Sequence, residues 1–255
     1  MSNAPPPVLT IHPLAGLPEV LPGDDLAALL CDSAARAGLA LAAGDVLVVA
    51  QKVVSKAEGA RIALAGVTPS QRAREWASQW GKDPRQVEVV LRESKRILRM
   101  ERGILIAETR HGFVCANAGV DLSNSGGEDI AILLPEDPDR SAGLLRDAIR
   151  RRTGVDTGVI VADSFGRPWR QGLTQAALGV AGLAPLLDLR GERDTEGRPM
   201  HVTVIAVADE LACAADLACG KTRRIPAAVI RGYSGPARDG NGRELLRPEK
   251  EDLFR

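Results

Sequence analysis

The run Gly158-Val-Ile-Val-Ala162 admits little besides a buried β-strand, being short, wholly apolar and rich in β-branched residues. It passes directly into Asp163-Ser-Phe-Gly-Arg-Pro-Trp-Arg170, which sets a carboxylate, a hydroxyl, a glycine turn and two arginines within eight residues. A second junction, Asp121-Leu-Ser-Asn124, likewise follows an apolar stretch. In folds that mix helices and strands, ligand groups gather where a strand end fixes the backbone and the next loop faces solvent. Two acidic junctions of this kind suit a divalent cation held by carboxylate oxygens, with Arg167 and Arg170 left for anionic phosphate. Either aspartate alone is as well explained by a turn cap. The pair together with its arginines favours a site.

Around these junctions the pattern alternates strand and helix. Val8 to Ile11 reads as a short strand, and Pro22-Gly-Asp-Asp25 introduces a helix with Leu26, Leu29, Leu30 and Ala34 on one face. Val46 to Ala50 is a second buried strand, ending in a polar group of Lys52, Ser55, Lys56 and Glu58. That group is either a solvated turn or a phosphate contact made by lysine as a point charge. Further along, Gln71 to Trp80 predicts a helix, Val87 to Leu91 a strand, and Ile104 to Glu108 with Gly112 to Ala116 a hairpin. Ser141 can cap a helix carrying Leu144, Leu145, Ala148 and Ile149. Gln175 to Ala184 is a Gly-broken helix or a tightly packed segment, and 190–198 a polar loop or hairpin tip. His201 to Val207 predicts a strand, Asp209 to Cys219 a helix, Ala227 to Ile230 a last strand, and Gly235 to Arg255 a loosely ordered tail.

Composition narrows the function classes. Lys+Arg and Asp+Glu are both 33, so no global charge points to nucleic acid or a membrane surface. Aromatics at 3% are too few for base-stacking platforms. Cys31, Cys115, Cys213 and Cys219 show no CxxC spacing and no neighbouring histidine, which argues against zinc and against a disulfide framework. The histidines His12, His111 and His201 are isolated and form no triad-like setting. Met1 to Pro7 lacks the pattern of a signal peptide, and no apolar run nears the ~20 residues that span a bilayer. A cytoplasmic protein is expected.

Ala215-Asp-Leu-Ala-Cys-Gly220-Lys221-Thr222 matches the loose form of a phosphate-binding P-loop. A P-loop leaves a strand and opens a helix, so that free N–H groups face phosphate. Here the order is reversed, with a predicted helix before the glycine and a strand after it. Gly220 is read as a helix C-cap, with Lys221 chiefly a charge at the negative end of the helix dipole.

The segments Gly44 to Gly59, Ala118 to Asn124, Ala162 to Gly172 and Ala206-Val-Ala-Asp-Glu-Leu211, with Leu17-Pro-Glu-Val20 and Pro22 to Leu26, resemble the coenzyme F420-0:L-glutamate ligase family. The resemblance runs from about Ile11 to Gly232, in order, and is to the stand-alone form without a fused nitroreductase-like domain. It implies an α+β fold of two domains and an intertwined homodimer. The expected division is about 1–90 plus 200–255 on the nucleotide side, and about 91–199 as an insertion carrying the metal-ligand loops, with the site between them. It further implies a GTP-dependent amide ligase adding L-glutamate to coenzyme F420-0, then through γ-linkages, using two divalent cations (Mg²⁺ or Mn²⁺) and K⁺. By position, Asp121 and Asp163 resemble ligands of one metal and Ser164 a ligand of the second. Leu17, Pro18, Glu19, Val20, Gln51, Lys56 and Asn124 match nucleotide-contacting positions, and the family's last nucleotide segment falls near Cys219 to Lys221. Some members have glutamine where Lys221 stands.

The chemistry of the residues agrees with that resemblance. An amide formed from a carboxylate needs an activated acyl group, which a nucleotide γ-phosphate supplies as an acyl phosphate. Cations at Asp121, Asp163 and Ser164 offset charge, and Lys56 with Arg167 or Arg170 holds phosphates or substrate carboxylates. The GTP preference comes from the resemblance alone, because no guanine-reading NKxD run is present. Two rivals remain at this stage: a metal-dependent phosphohydrolase on the same aspartates, and a non-catalytic nucleotide-binding module.

Overall fold

Residues far apart in the chain meet in one five-stranded sheet, and that sheet positions everything else. The computed structural model describes residues 8–123, 129–236 and 238–253. Its elements begin β1 (Thr10–Pro13), α1 (Leu26–Arg36), β2 (Val46–Ala50), α2 (Gln51–Glu58), β3 (Arg61–Ala63), α3 (Gln71–Trp80), α4 (Pro84–Glu93), β4 (Ser94–Glu101) and β5 (Ile104–Thr109). They continue β6 (Val114–Ala116), β7 (Ile130–Ile132), α5 (Pro138–Thr153), β8 (Gly158–Arg167), β9 (Arg170–Ala181), β10 (Leu187–Asp188), β11 (Val204–Ile205), α6 (Val207–Cys219) and β12 (Ala227–Arg231).

The main sheet has the order β1-β12-β2-β8-β9. Only β2 and β8 are parallel; the remaining pairs are antiparallel. Its central strands are apolar on both faces because helices cover both. Leu47, Val49, Val159 and Val161 pack against α1 and α5 through Leu26, Leu30, Leu145 and Ile149. Val46, Val48, Ile160 and Ile230 pack against Leu211, Ala212 and Ala215 of α6. The period-two alternation of β2 thus feeds two separate cores. A second body of structure contains the β4-β5-β6 sheet, the β3-β7 pair and α4, around Leu64, Val89, Val90, Leu105, Val120 and Leu133.

Mixed helices and several sheets agree with the expected α+β class. The strand pairing groups residues differently from the expected division, however. β8 and β9, assigned by sequence to the 91–199 insertion, pair with each other and join β2 in the main sheet. The apolar character of 158–162 reflects a place at the centre of that sheet, which chain order cannot reveal.

Several local expectations change for physical reasons. Val87 to Leu91 is helical: Asp83 caps the N–H of Arg85, Pro84 starts the helix and Val87, Val89 and Val90 are buried. The cap and this packing outweigh the few tenths of a kcal/mol per residue by which valine disfavours helix. The polar group after β2 is also a helix, closed by Gly59 in the left-handed conformation, with Ser55 and Lys56 buried. Asp137, not Ser141, caps α5; Ser141 lies within its first turns and donates to the Asp137 carbonyl at 3.1 Å. Gln175 to Ala181 is strand, the latter half of β9. Of 201–207 only Val204 and Ile205 are strand, and Val207 already opens α6. The tail carries two short 3-10 turns, Gly242–Leu245 and Glu249–Glu251. Gly220 ends α6, its N–H donating to the Asp216 carbonyl, in keeping with rejection of the P-loop. Among the described residues no helix is long and apolar enough to cross a membrane.

Candidate active site

The parallel pair β2 and β8 ends at a cleft of about 740 Å³. In open sheets the crevice beyond the carboxyl ends of parallel strands is where ligands bind. The cleft is lined by Leu17, Pro18, Glu19, Val20, Gln51, Lys56, Asp121, Asp163, Ser164 and Lys221, all expected from sequence. Asn124 lies outside the described residues. Arg167 and Arg170 are not brought to the cleft. β2 accompanies β8 only as far as Ala162, beyond which β8 and β9 run on as a two-stranded ribbon to the Arg167–Arg170 pair. What reads in sequence as a loop of eight residues is therefore a strand and the tip of a hairpin. Arg167 there donates to the Gln171 carbonyl.

A register shift in the β8–β9 pairing separates the Val161–Gly179 pair from Ala162–Ala177, a bulge that re-aims the strand at the site. The Asp209 carboxylate accepts the Ala177 N–H at 2.8 Å beside it. Beyond the bulge Asp163 faces Ala176 and Ser164 faces Gln175. Directly paired residues present their side chains on one face, and Gln175 Nε2 donates to Ser164 Oγ at 2.9 Å. Lys221 Nζ donates to the same oxygen at 2.7 Å. Lys221 thus reaches into the cleft from the end of α6, which corrects the reading of it as chiefly a helix-end charge. The extended ψ of 157° at Gly220 turns the chain off the helix axis.

The two aspartates differ electrostatically. Burial pushes Asp163 up to about 6, a shift resisted by the Ser164 N–H and the Lys221 ammonium and increased by the nearby Asp121 carboxylate. Burial would raise Asp121 as well, but Lys52 and Ser123 hold it below the usual carboxylate value. Lys52 Nζ sits 2.6 Å from Asp121 and donates to the Ser123 carbonyl at 2.8 Å. One turn further along α2, Lys56, only 6% exposed, pairs with the Glu19 carboxylate. Gln51 donates its amide to the Leu133 carbonyl at 3.3 Å, tying α2 to the second body.

A hard divalent cation fits the first of the two expected positions. Mg²⁺ is commonly held by one or two carboxylates with substrate phosphates completing its shell. Asp121 and Asp163 are such a pair, and among the described residues no cluster of three or more His, Cys, Asp or Glu makes a closed cage. Ser164 is a poorer match for the second cation, being neutral and already occupied by two donors. Burial pushes the Cys115 thiol up to about 12 and the Cys219 thiol up to about 11, so neither is a thiolate near neutral pH. His111 Nε2 faces the Pro135 and Glu136 carbonyls rather than the cleft.

Sequence reasoning missed Gln175, Ser123, Thr222 and Arg224, which also line the cleft, and did not select Lys52 as a site residue. Lys52 had a signal in the polar group after β2. Thr222 was the last residue of the rejected phosphate-loop match and Arg224 stood just beyond it, whereas Gln175, in a run of small apolar residues, had no signal.

Comparison with known proteins gives the same assignment as the motifs. The family model described as F420-0:Gamma-glutamyl ligase matches residues 16–232. The coenzyme F420:L-glutamate ligase of Methanothermobacter thermautotrophicus is 46% identical over 243 residues, covering 94% of this chain and 96% of that protein. That of Methanopyrus kandleri is 46% identical over 257 residues, covering 98% of each. That of Methanocaldococcus jannaschii is 46% identical over 213 residues, covering 83% of this chain and 85% of that protein. On a match across nearly the whole cleft-forming sequence, the chain belongs to the F420-0:gamma-glutamyl ligase family.

Proposed function

We propose that this protein joins L-glutamate to coenzyme F420-0 in amide linkage, extends the product through γ-linked glutamate, and drives both steps with GTP. The observation that carries the reading is the meeting, in one cleft, of the Asp121 and Asp163 carboxylates with three lysines, Lys52, Lys56 and Lys221, in a member of this family. Carboxylates alone would repel a triphosphate. Lysines alone would bind one without a place for its cation.

A carboxylate oxygen of F420-0 attacks the γ-phosphorus of GTP; the new O–P bond forms as the bond to the β-phosphate oxygen breaks, and GDP leaves. The glutamate amine then attacks the acyl carbon, forming the C–N bond. Phosphate departs with the former carboxylate oxygen, and the amine gives up a proton. A Mg²⁺ or Mn²⁺ ion held by Asp121 and Asp163 would offset phosphate charge during the transfer. Lys56 holds phosphate as a point charge, released from Glu19 when the stronger anion arrives. No covalent enzyme nucleophile is needed, which suits protonated thiols and a histidine bound elsewhere. The reading includes a homodimer: Arg167 and Arg170 stand outside the cleft of their own chain, on a ribbon where Leu173 is 64% exposed, and a second copy is what such a ribbon would reach.

Isotope labelling tests the chemistry. With precursor labelled by ¹⁸O in its carboxylate, one label should appear in inorganic phosphate, with GDP formed one-to-one with amide. Nucleoside monophosphate with pyrophosphate, or unlabelled phosphate, would sink the acyl-phosphate route. Rapid phosphate release without L-glutamate and F420-0 would favour the phosphohydrolase instead, and nucleotide binding without any turnover the non-catalytic module.

Lys56→Ala should weaken GDP binding, read by calorimetry, by roughly 10- to 100-fold, since a hydrogen bond to a charged group is worth about 1.5–3 kcal/mol. The fold should survive, because the Glu19 side chain left behind is 54% exposed and regains water. Unchanged GDP affinity would remove Lys56 from the phosphate-binding set.

A further inference from the structure

The two positions expected to hold divalent cations are built differently. At the first, the Asp121 carboxylate lies near enough to raise the Asp163 carboxyl, and two half-buried carboxylates with oxygen donors only are a suitable base for Mg²⁺ or Mn²⁺. At the second, Ser164 offers a neutral hydroxyl. A hydroxyl oxygen has two acceptor lone pairs, and Lys221 Nζ at 2.7 Å and Gln175 Nε2 at 2.9 Å use both. No lone pair on Ser164 is left for a metal. An ammonium has three donors and no acceptor, so Lys221 cannot ligate a cation; beside Ser164 it repels one.

The arrangement is held from both sides. Ser164 is fixed opposite Gln175 by the β8–β9 register. The Gln175 carbonyl accepts from Cys213 Sγ of α6, at 3.5 Å, the same helix that delivers Lys221 at its end. The ammonium also lies close enough to Asp163 to favour its ionised form. A positive charge therefore already stands at Ser164, beside the Asp163 carboxylate.

We propose that the Lys221 ammonium is the protein's own second cation: the chain binds one divalent ion, at Asp121 and Asp163, and supplies at Ser164 the charge that a second ion would bring. This rests on reading the cleft as the metal and nucleotide site. An ammonium neutralises phosphate as a hydrated point charge without demanding a coordination geometry, so it can serve the transferred phosphate without a vacant ligand position.

The test counts bound ions and needs no turnover. The full-length protein with saturating GDP is titrated with Mn²⁺, and free Mn²⁺ is followed by electron paramagnetic resonance. One Mn²⁺ per chain is expected for the wild type and for Lys221→Arg, which keeps the charge. Lys221→Gln, which removes the charge, frees a Ser164 lone pair and adds an amide oxygen, should take up a second ion. Lys221 is exposed, so these variants should fold. Two ions in the wild type would overturn the proposal and leave the Asp121–Asp163 reading standing. One ion in every form would also overturn it, because loss of the ammonium would then open no position. No ion in the wild type would sink the metal reading itself.

Discussion

Asp163→Asn should abolish glutamate ligation, lowering the rate about a thousand-fold or more, while the protein melts at no lower temperature than the wild type. Charge stabilisation by a cation at a transferring phosphoryl group is worth several kcal/mol, and each ~1.4 kcal/mol is a factor of ten in rate. Asparagine keeps an oxygen for the Ser164 N–H, which lies 2.8 Å from Asp163 Oδ1, so the strand geometry survives. What it removes is the anion, and burial already disfavours that anion in the folded protein. Losing a buried charge that the fold does not favour should not destabilise; function, rather than packing, is the reason to keep it there. Product mass after incubation with F420-0, L-glutamate, GTP and Mg²⁺ or Mn²⁺ reads the loss, and a thermal melt reads the fold. Asp121→Asn should lose ligation in the same way if both carboxylates serve one ion, but at some cost in stability, because Lys52 favours the ionised Asp121 in the folded protein. Near-normal turnover of Asp163→Asn at saturating metal would strike Asp163 from the catalytic set.

The second large effect is on stability, far from any chemistry. Gly179→Ala should cost about 3 kcal/mol or more, the upper range for a residue forced into a filled interior. A Cβ on Gly179 would lie 1.9 Å from the carbonyl oxygen of Pro138 and 2.8 Å from the nitrogen of Asp139. Both are backbone atoms at the start of α5, so no side chain can rotate aside to make room. The start of the helix would have to move. With it would go the Asp139 carboxylate, which accepts from the Val180 N–H at 2.9 Å and the Gly242 N–H at 2.6 Å, joining β9, α5 and the tail. For a chain of this size ~3 kcal/mol corresponds to roughly 6–12 °C in melting temperature. Gly143→Ala is the control: it lies within α5 with nothing near its Cβ position, and should gain up to about 1 kcal/mol from helix propensity. A Gly179→Ala protein that melts with the wild type would mean that β9 does not press on α5 this closely.

The single chain carries the elements whose causes are local. Asp25 capping the helix from Leu26, the β-branched strands at 46–50 and 158–162, and the 104–116 hairpin all appear where patterning puts them, because capping and alternation act over a few residues. The acidic junctions were legible for the same reason: a carboxylate next to an apolar strand is a contrast within the sequence itself. The rejected P-loop belongs here too, since the order of helix, glycine and strand can be read directly.

What tertiary structure alone decided concerns partners distant in sequence. The valines at 87, 89 and 90 are helical because a cap and cores drawing on residues from Leu64 to Leu133 favour burying them that way, a balance that β propensity by itself misjudges. Arg167 and Arg170 leave the site because the strand does not stop at Asp163; pairing with β9, which returns from Arg170, carries it past the sheet. Lys221 enters the site, and Gln175 with it, because β8, β9 and the end of α6 converge on one serine. The sequence by itself determined which residues carry charge and which segments must be buried, since those are properties of side chains and short periods. Which charges face one another depended on the sheet order, and that order is set by long-range packing of both faces at once.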